Sequence, residues 1–422
     1  MFRSKNIQVL IRLFVGFLAV SWSGRLYVNG CFPSIISFGD SITDTGNRKQ
    51  LASIYPDVNF PCIPPYGQDF IKESTGRCSN GRLIIDFLCR NQVQMYDAYA
   101  SGIALNNENK SCYCYWRTIA KSLGLPLIPS YFSNNWSRDA MVGVNYAVGG
   151  ATALDSSFIQ AKWSECSTIN ASLGVQLAWF KQSLSSICEN TSDCRNFIGR
   201  SLILVGEIGG NDYNNPLSAG IATDEIEPYV PLVIDTIISV VNELIEMGAR
   251  TLVIPGNFPI GCFPSSLTTL ASDNDEYDPI TGCLTKLNEF IIYHNKMLET
   301  KLDELRELNE NVVIIYADYY NALMQIYRSP HKYGFTSEGT LKACCGCGGP
   351  FNFNTTGRCG DACTTVCEEP DTYVTWDGVH LTEEAYRLIA KSIFQGPYST
   401  PEFYSLCPTS TSQTGVGLSS SI

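Results

Sequence analysis

The chain contains a serine and an acid–histidine pair whose positions suit nucleophilic catalysis. Ser41 follows the apolar run 34–38 and a short turn, which would place its hydroxyl at the tip of a strand. In open α/β sheets, ligands bind just beyond the carboxyl ends of the strands. Asp377 and His380 lie three residues apart near the other end of the chain, where a tight turn would let the carboxylate accept the imidazole Nδ1–H. A serine, a histidine base and an orienting carboxylate together perform acyl transfer.

Each of these parts also has a simpler explanation, because the serine or its neighbour Asp40 could cap a helix and the acid–histidine pair could belong to an ordinary loop. The other two histidines are weaker candidates for a base. His294 lies on the apolar stripe of a predicted helix, and His331 follows a proline in a polar loop. His380 is therefore the preferred base.

Acyl transfer also requires N–H donors aimed at the oxygen that becomes negatively charged. Gly149 and Gly150 follow a second apolar run, and a glycine backbone lets an N–H approach a ligand closely. Asn211 follows a third run and supplies an uncharged amide. Each feature alone would indicate only a sharp turn. Their joint presence with the serine and the acid–histidine pair favours an acyl-transfer site.

The elements that must position these groups can be predicted from hydrophobic periodicity. The predicted strands are residues 34–38, 144–148, 201–205, 251–254 and 312–316. The predicted helices are residues 175–187, 225–247, 284–305, 319–327 and 382–394, the last with Thr382 as its N-cap. This alternation predicts an α/β fold with a doubly wound parallel sheet. Residues 43–82 are rich in proline, glycine and asparagine and are predicted to form a loop.

Four ordered sequence blocks resemble the plant GDSL lipase/esterase family within the SGNH hydrolases. The blocks are FGDSITDTGN at 38–47, NYAVGGAT at 145–152, GGND at 209–212 and DGVH at 377–380. The similarity extends over most of the chain, from about residue 34 to residue 396. It implies a three-layer, flavodoxin-like fold with a central five-stranded parallel sheet, and a serine esterase activity.

The same resemblance implies roles for individual residues. Ser41 would be the nucleophile, His380 the base and Asp377 its partner. The N–H groups of Ser41 and Gly150 and the amide of Asn211 would form the oxyanion hole, the second glycine of the pair being favoured by the match to the family's second block. No metal ion or other cofactor is implied.

The run VGEIGGNDYN at 205–214 is similar to the branch that includes sinapine esterase and acetylajmalan esterase. This similarity implies a small-molecule ester substrate, such as an acetyl or sinapoyl ester of a specialised metabolite. Two other functions remain open. An acyltransferase would use the same acyl-enzyme, and a non-catalytic secreted glycoprotein would keep only the fold.

The chain departs from the family pattern at two places. Ile42 replaces the leucine of the family name, which is a mild apolar exchange. Residues 89–118 have no helical period, yet residues 83–88 and 119–124 on either side do. We interpret 89–118 as an insertion within a helix, either a genuine one or an intron translated in frame.

The N-terminus is typical of a secretory signal, with a basic head followed by the short apolar run 13–20. Residues 1–30 are accordingly predicted to be a signal peptide and leader, 31–407 a single hydrolase domain, and 408–422 a disordered tail. Five N-x-S/T sequons agree with secretion to the extracellular space or the vacuole: Asn109, Asn135, Asn170, Asn190 and Asn354.

The chain has 18 cysteines, a number that fits an oxidising compartment. The group Cys344, Cys345 and Cys347 would suit zinc only with paired C-x-x-C motifs or nearby histidines, so disulfides are the stronger interpretation. The formal net charge of −12 and the absence of a basic run argue against nucleic-acid binding. No later apolar run reaches the length of a membrane span, so no stable membrane association is expected after signal cleavage.

Overall fold

The structure, a computed structural model, describes residues 32–55, 58–59, 61–70, 72–88, 127–133, 143–166, 168–272 and 276–406. The predicted signal segment, the tail 408–422 and the segment 89–118 lie outside the described residues. The sequons at Asn109 and Asn135 lie outside them as well.

A mixed sheet of six strands forms the centre of the molecule. Its strands are β1 (Ile35–Phe38), β2 (Gly143–Asn145), β3 (Leu202–Val205), β4 (Thr251–Pro255), β5 (Val313–Ala317) and the edge strand β8 (Ser399–Thr400). The strand order is β2-β1-β3-β4-β5-β8, with all neighbours parallel except β8, which pairs antiparallel to β5. The predicted parallel α/β sheet is confirmed, and β8 extends it by one strand that the sequence did not indicate.

Helices flank this sheet along the described chain. They are α1 (Asn47–Ile54), α2 (Ser156–Lys162), α3 (Leu173–Ile187), α4 (Thr191–Arg200), α5 (Gly210–Ser218), α6 (Thr223–Ile226), α7 (Val230–Met247), α8 (Pro264–Thr269), α9 (Thr285–Leu308), α10 (Tyr319–Arg328), α11 (Ser337–Leu341) and α12 (Glu383–Gln395). Residues 84–88 are also helical. Helix α7 contacts both α3 and α9, and α10 contacts α12. None of the helices in the described ranges is long and apolar enough to cross a membrane.

Hydrophobic burial explains why these segments fold as they do. Every residue of β1 and β3 is buried, as expected for strands covered on both faces. In α7, Val233, Ile237, Val241 and Leu244 recur at helical spacing and are at most 1% exposed. The helix ends at Gly248, whose φ of 120° is available to glycine at little cost.

The predicted continuous helix 225–247 is wrong at its start. The structure has the short helix α6, a 3₁₀ turn at Glu227–Tyr229 and only then α7. Pro228 and Pro231 explain the break, because proline has no N–H for an intrahelical hydrogen bond and fits best in a helix's first turn.

The predicted loop 43–82 contains a helix, α1, that the sequence pattern missed. Asp44 organises its first turn: Oδ1 accepts from the Gly46 and Asn47 N–H groups at 2.7 and 2.6 Å, and Oδ2 accepts from the Arg48 N–H at 2.9 Å. A carboxylate at a helix N-terminus also interacts favourably with the helix dipole. One buried side chain thus replaces the usual capping pattern.

The cysteines that the structure describes are mostly paired, as predicted for those outside the segment 89–118. The disulfides are Cys62–Cys78, Cys188–Cys194, Cys262–Cys283, Cys344–Cys367, Cys345–Cys359 and Cys347–Cys363. Cys166 is an unpaired and buried thiol. A two-stranded ribbon of β6 (Cys345–Gly346) and β7 (Thr365–Val366) lies within residues 344–367, which contain three of these disulfides. Within the described ranges, no three His, Cys, Asp or Glu side chains are grouped as metal ligands would be.

Five of these half-cystines form a buried cluster with two aromatic rings, which we call the cysteine cluster. Its members are Cys62, Cys78, Cys344, Cys345, Cys359, Tyr66 and Trp376. Tyr66 and Trp376 meet edge to face, with ring centroids 6.1 Å apart. Trp376 immediately precedes Asp377, so the cluster lies directly beneath the acid–histidine loop.

Candidate active site

The backbone before Ser41 is fixed by a glycine and a buried glutamine. Gly39 has a φ of 146°, and a Cβ at this position would lie 1.9 Å from the Gly206 carbonyl oxygen, so only glycine fits. Gln176 accepts from the Gly39 N–H at 2.9 Å and donates to the Gly39 carbonyl at 2.8 Å. The turn that carries Ser41 at the end of β1 is therefore held on both sides.

Ser41, His380 and Asp377 form one continuous hydrogen-bonded chain. His380 Nε2 lies 2.9 Å from Ser41 Oγ, and His380 Nδ1 lies 2.6 Å from Asp377 Oδ2. The tight turn expected from the spacing is present, because Asp377 Oδ1 accepts from the N–H groups of Val379 and His380 at 3.0 and 2.7 Å. The side chains of His380 and Asp377 are only 14% and 10% exposed.

Tyr66 is a further partner of Asp377 that the sequence did not reveal. Its hydroxyl donates to Asp377 Oδ2 at 2.7 Å, the same oxygen that faces the imidazole. Tyr66 is 5% exposed and belongs to the cysteine cluster. The two residues are 311 positions apart, so no local pattern could have joined them.

The electrostatics of the pair match this geometry. Burial lowers the pKa of His380, but the negative charge and hydrogen bond of Asp377, together with Asp40, outweigh burial and leave the pKa raised. Burial raises the pKa of Asp377, but His380 and the hydrogen bonds to the carboxylate outweigh it and leave the pKa lowered. Asp377 is therefore a carboxylate when His380 is neutral, and it stabilises the imidazolium that forms on proton uptake.

The two glycines of the second block differ in how their N–H groups are used. The Gly149 N–H donates to Asp44 Oδ2 at 2.8 Å. The N–H groups of Gly150 and Ser41 have no hydrogen-bond partner within the described part of the chain. A Cβ at Gly149 would lie 3.6 Å from the Ser41 Cβ, so the glycine pair is beside the serine. The arrangement leaves Gly150, rather than Gly149, able to donate to a ligand.

Asn211 reaches the same place from the first turn of α5. Its Nδ2 donates to Asp40 Oδ2 at 3.0 Å and to the Ala151 carbonyl at 2.9 Å. The sequence pattern indicated neither contact. They hold the amide next to Ser41, and an oxyanion would have to share its hydrogens with Asp40 or Ala151.

Asp212 ties the second and third blocks together and was also missed. Its two carboxylate oxygens accept from the N–H groups of Ala153 and Leu154 at 2.8 and 2.9 Å. Burial raises its pKa to about 6, although these hydrogen bonds oppose the shift. Its position directly after Asn211 was the only signal available in the sequence.

The buried carboxyls give the first testable prediction: the protein should be more stable at pH 5 than at pH 8. Burial raises the pKa of Asp40 to about 7 and that of Asp212 to about 6, against 3.8 in an unfolded chain. Between pH 4 and 7 the folded state binds protons that the unfolded state has released. The free energy of unfolding therefore falls as the pH rises through this window, and the raised pKa of His380 acts in the same direction.

Melting temperatures at constant ionic strength measure this effect. Asp40→Asn should flatten the profile because it removes one of the buried carboxyls with a raised pKa, while Glu207, whose pKa burial also raises, remains. A wild-type melting temperature that rises from pH 5 to pH 8 would contradict the prediction.

The chain is similar to known proteins over most of its length. Residues 35–393 match the model of the GDSL-like lipase/acylhydrolase family. The chain is 47% identical over 380 residues to the Arabidopsis thaliana protein GDSL esterase/lipase At1g28580, which covers 90% of this chain and 89% of that protein. It is 45% identical over 415 residues to GDSL esterase/lipase At1g28640 of the same plant. This alignment covers 96% of this chain and 97% of that protein.

The matched region contains all four blocks, from the turn that carries Ser41 to the acid–histidine loop. Identity at this level over nine-tenths of both chains is far above what a shared fold alone would produce. The chain therefore belongs to the GDSL lipase/acylhydrolase family and is a carboxylic ester hydrolase.

Proposed function

We propose that this protein is a secreted serine esterase that hydrolyses small carboxylic esters through an acyl-enzyme on Ser41. The observation that carries the proposal is the hydrogen-bonded chain from Ser41 Oγ through His380 to Asp377 Oδ2. A serine hydroxyl is a weak nucleophile until a base removes its proton. His380 is positioned to be that base.

In the proposed acylation step, Ser41 Oγ attacks the ester carbonyl carbon while His380 Nε2 takes the hydroxyl proton. The carbonyl electron pair moves onto oxygen, and this oxyanion accepts hydrogen bonds from the Ser41 N–H, the Gly150 N–H and the Asn211 amide. The intermediate collapses as His380 returns the proton to the departing alkoxide, which leaves as an alcohol. Water then repeats the sequence on the acyl-enzyme and releases the acid.

The substrate class is tested with a panel of acetyl, sinapoyl and long-chain esters, with and without residues 89–118. The proposal expects turnover of the acetyl or sinapoyl esters and little turnover of long-chain ones. Product analysis with added alcohol separates hydrolysis from acyl transfer. A chain that prefers long-chain esters, or that forms mainly transfer products, would overturn the proposed specificity or reaction.

Secretion is supported by the six disulfides within the described ranges and by the exposure of two of the described sequons. Asn170 and Asn190 are exposed, whereas Asn354 is half-buried and its amide donates to the Cys347 carbonyl at 2.5 Å. We therefore favour Asn170 and Asn190 among the described sequons. Expression of the full chain in plant cells, followed by glycosidase treatment of the secreted protein, tests both secretion and glycosylation.

A second prediction concerns Tyr66, which we propose positions Asp377. Tyr66→Phe should lower kcat about 5- to 10-fold, comparable to losing one hydrogen bond of roughly 1–1.4 kcal/mol. Without the hydroxyl, Asp377 holds its negative charge less stably and attracts the imidazolium more strongly. The acidic limb of the kcat/KM profile should therefore move to higher pH.

Tyr333→Phe is the matched control, because the Tyr333 hydroxyl donates to Gln325 at 2.8 Å, away from the acid–histidine loop. It should leave both the rate and the pH profile unchanged. A Tyr66→Phe enzyme that matches wild type in both measurements would refute the role of this hydroxyl.

A further inference from the structure

We infer that Arg48 is a positioning residue of the oxyanion site, which holds and polarises the peptide group between Gly149 and Gly150. This inference rests on the proposed function, in which the Gly150 N–H stabilises the oxyanion. Neither the sequence blocks nor their spacing pointed to Arg48. It lies on α1, in the segment that the sequence predicted as a loop.

The contact is direct and specific to one peptide unit. Arg48 Nη1 donates to the Gly149 carbonyl oxygen at 2.8 Å. That carbonyl and the Gly150 N–H belong to the same planar amide. Because the two groups of a trans amide point in opposite directions, the guanidinium lies behind the peptide and leaves the N–H side open. A Cβ at Gly150 would lie 3.2 Å from Arg48 Nη1, which confirms the close approach.

The guanidinium is itself held in place. Arg48 Nε donates to the Asn59 carbonyl at 2.7 Å, so two of its nitrogens are fixed. The Arg48 backbone N–H donates to Asp44 Oδ2, the oxygen that also accepts from the Gly149 N–H. Gly149 is therefore bound at its N–H by the carboxylate of Asp44, just before α1, and at its carbonyl by the guanidinium of Arg48, in the first turn of α1.

This arrangement has an electrostatic consequence for the Gly150 N–H. Hydrogen bonds that share an amide polarise one another, so a cation on the carbonyl makes the N–H a stronger donor. Burial lowers the pKa of Arg48, and the negative charge of Asp44 opposes this shift. Arg48 keeps its positive charge, because a guanidinium stays protonated in proteins. The positive charge also stands close to where negative charge develops. Both effects act on the transition state more than on the bound ester.

The test compares Arg48→Met with Arg48→Lys and with the control Lys49→Met. Methionine keeps much of the side-chain length but removes the charge and the N–H groups. Lys49 is exposed and is the next residue of α1, so its variant controls for changes in the helix. Arg48→Met should lower kcat about 10- to 100-fold, somewhat less than loss of an oxyanion donor itself, with KM within about twofold. Arg48→Lys should recover part of the loss.

A second measurement separates this role from a structural one. A boronic acid that forms a tetrahedral adduct on Ser41 places a negatively charged oxygen where the oxyanion would lie. The affinity of Arg48→Met for the boronic acid should fall by about the same factor as its kcat/KM. The boronate affinity and the melting temperature of Lys49→Met should both match those of the wild type. A third variant, Arg48→Ala, tests chemical rescue by free guanidinium ion. Guanidinium chloride, at concentrations too low to denature the protein, should raise the kcat of this variant above the value measured in the same concentration of sodium chloride.

The outcomes are distinguishable. If Arg48→Met keeps its kcat and boronate affinity and changes only in KM or melting temperature, Arg48 is structural and the inference is overturned. A wild-type protein that neither hydrolyses esters nor binds the boronate would overturn the proposed function and this inference with it.

Discussion

Ser41→Ala should reduce ester hydrolysis by about 10⁵- to 10⁶-fold, the loss typical of removing a serine nucleophile. Without Oγ no acyl-enzyme can form, and only water activated in the site remains. The protein should still fold, because the one described side-chain hydrogen bond of Ser41 is to His380. Initial-rate assays on the best ester of the panel and a melting curve measure both statements.

Ser53→Ala is the matched control, since Ser53 is an exposed serine on the nearby helix α1. It should retain wild-type turnover. An organophosphonate should label Ser41 stoichiometrically in the wild type and leave Ser41→Ala unlabelled. Near-full turnover by Ser41→Ala, or a label on another residue, would show that the mechanism is wrong.

Asn211→Ala has the second-largest expected effect, a decrease in kcat of about 10²- to 10³-fold. The loss should appear in kcat because the negative charge on the substrate oxygen develops only in the transition state. The variant also removes the donor to Asp40 Oδ2, so the buried Asp40 carboxyl should become harder to ionise. Steady-state kinetics and the pH dependence of stability measure these two consequences.

Asn215→Ala provides the comparison, because Asn215 lies one turn further along α5. Its kinetics should match wild type. If Asn211→Ala instead raises KM and leaves kcat unchanged, Asn211 only positions the substrate and the oxyanion hole has other donors.

The parts of the fold that the sequence predicted are those set by local pattern. The five parallel strands are continuous apolar runs, and Thr382 caps α12 by accepting from the Ala385 N–H, as its position suggested. His294 was predicted to be a packed helix residue, and it is 1% exposed with Nδ1 2.7 Å from the Tyr213 hydroxyl. Burial lowers its pKa to about 3, which keeps it neutral.

The sequence could not reveal contacts between residues that are far apart in the chain. Tyr66 meets Asp377, Arg48 meets Gly149, and Asp44 meets the same glycine, each across about a hundred residues or more. Such pairs have no periodicity and become visible only when the strands are side by side. The interpretation of 89–118 as an insertion stays a prediction, since this segment lies outside the described residues.

The cysteine cluster has a consequence for when the enzyme becomes competent during its synthesis. The backbone of Trp376 joins the cluster to His380, since the Trp376 main-chain N–H donates to the His380 carbonyl at 2.7 Å and the Trp376 carbonyl accepts from the Cys345 N–H at 2.6 Å. The proposed nucleophile and oxyanion donors are carried instead by strand ends. A chain that has formed its sheet but not these disulfides would hold a nucleophile without a positioned base. We therefore expect cysteine oxidation to be a maturation step, after which a folded chain gains the ability to turn over substrate.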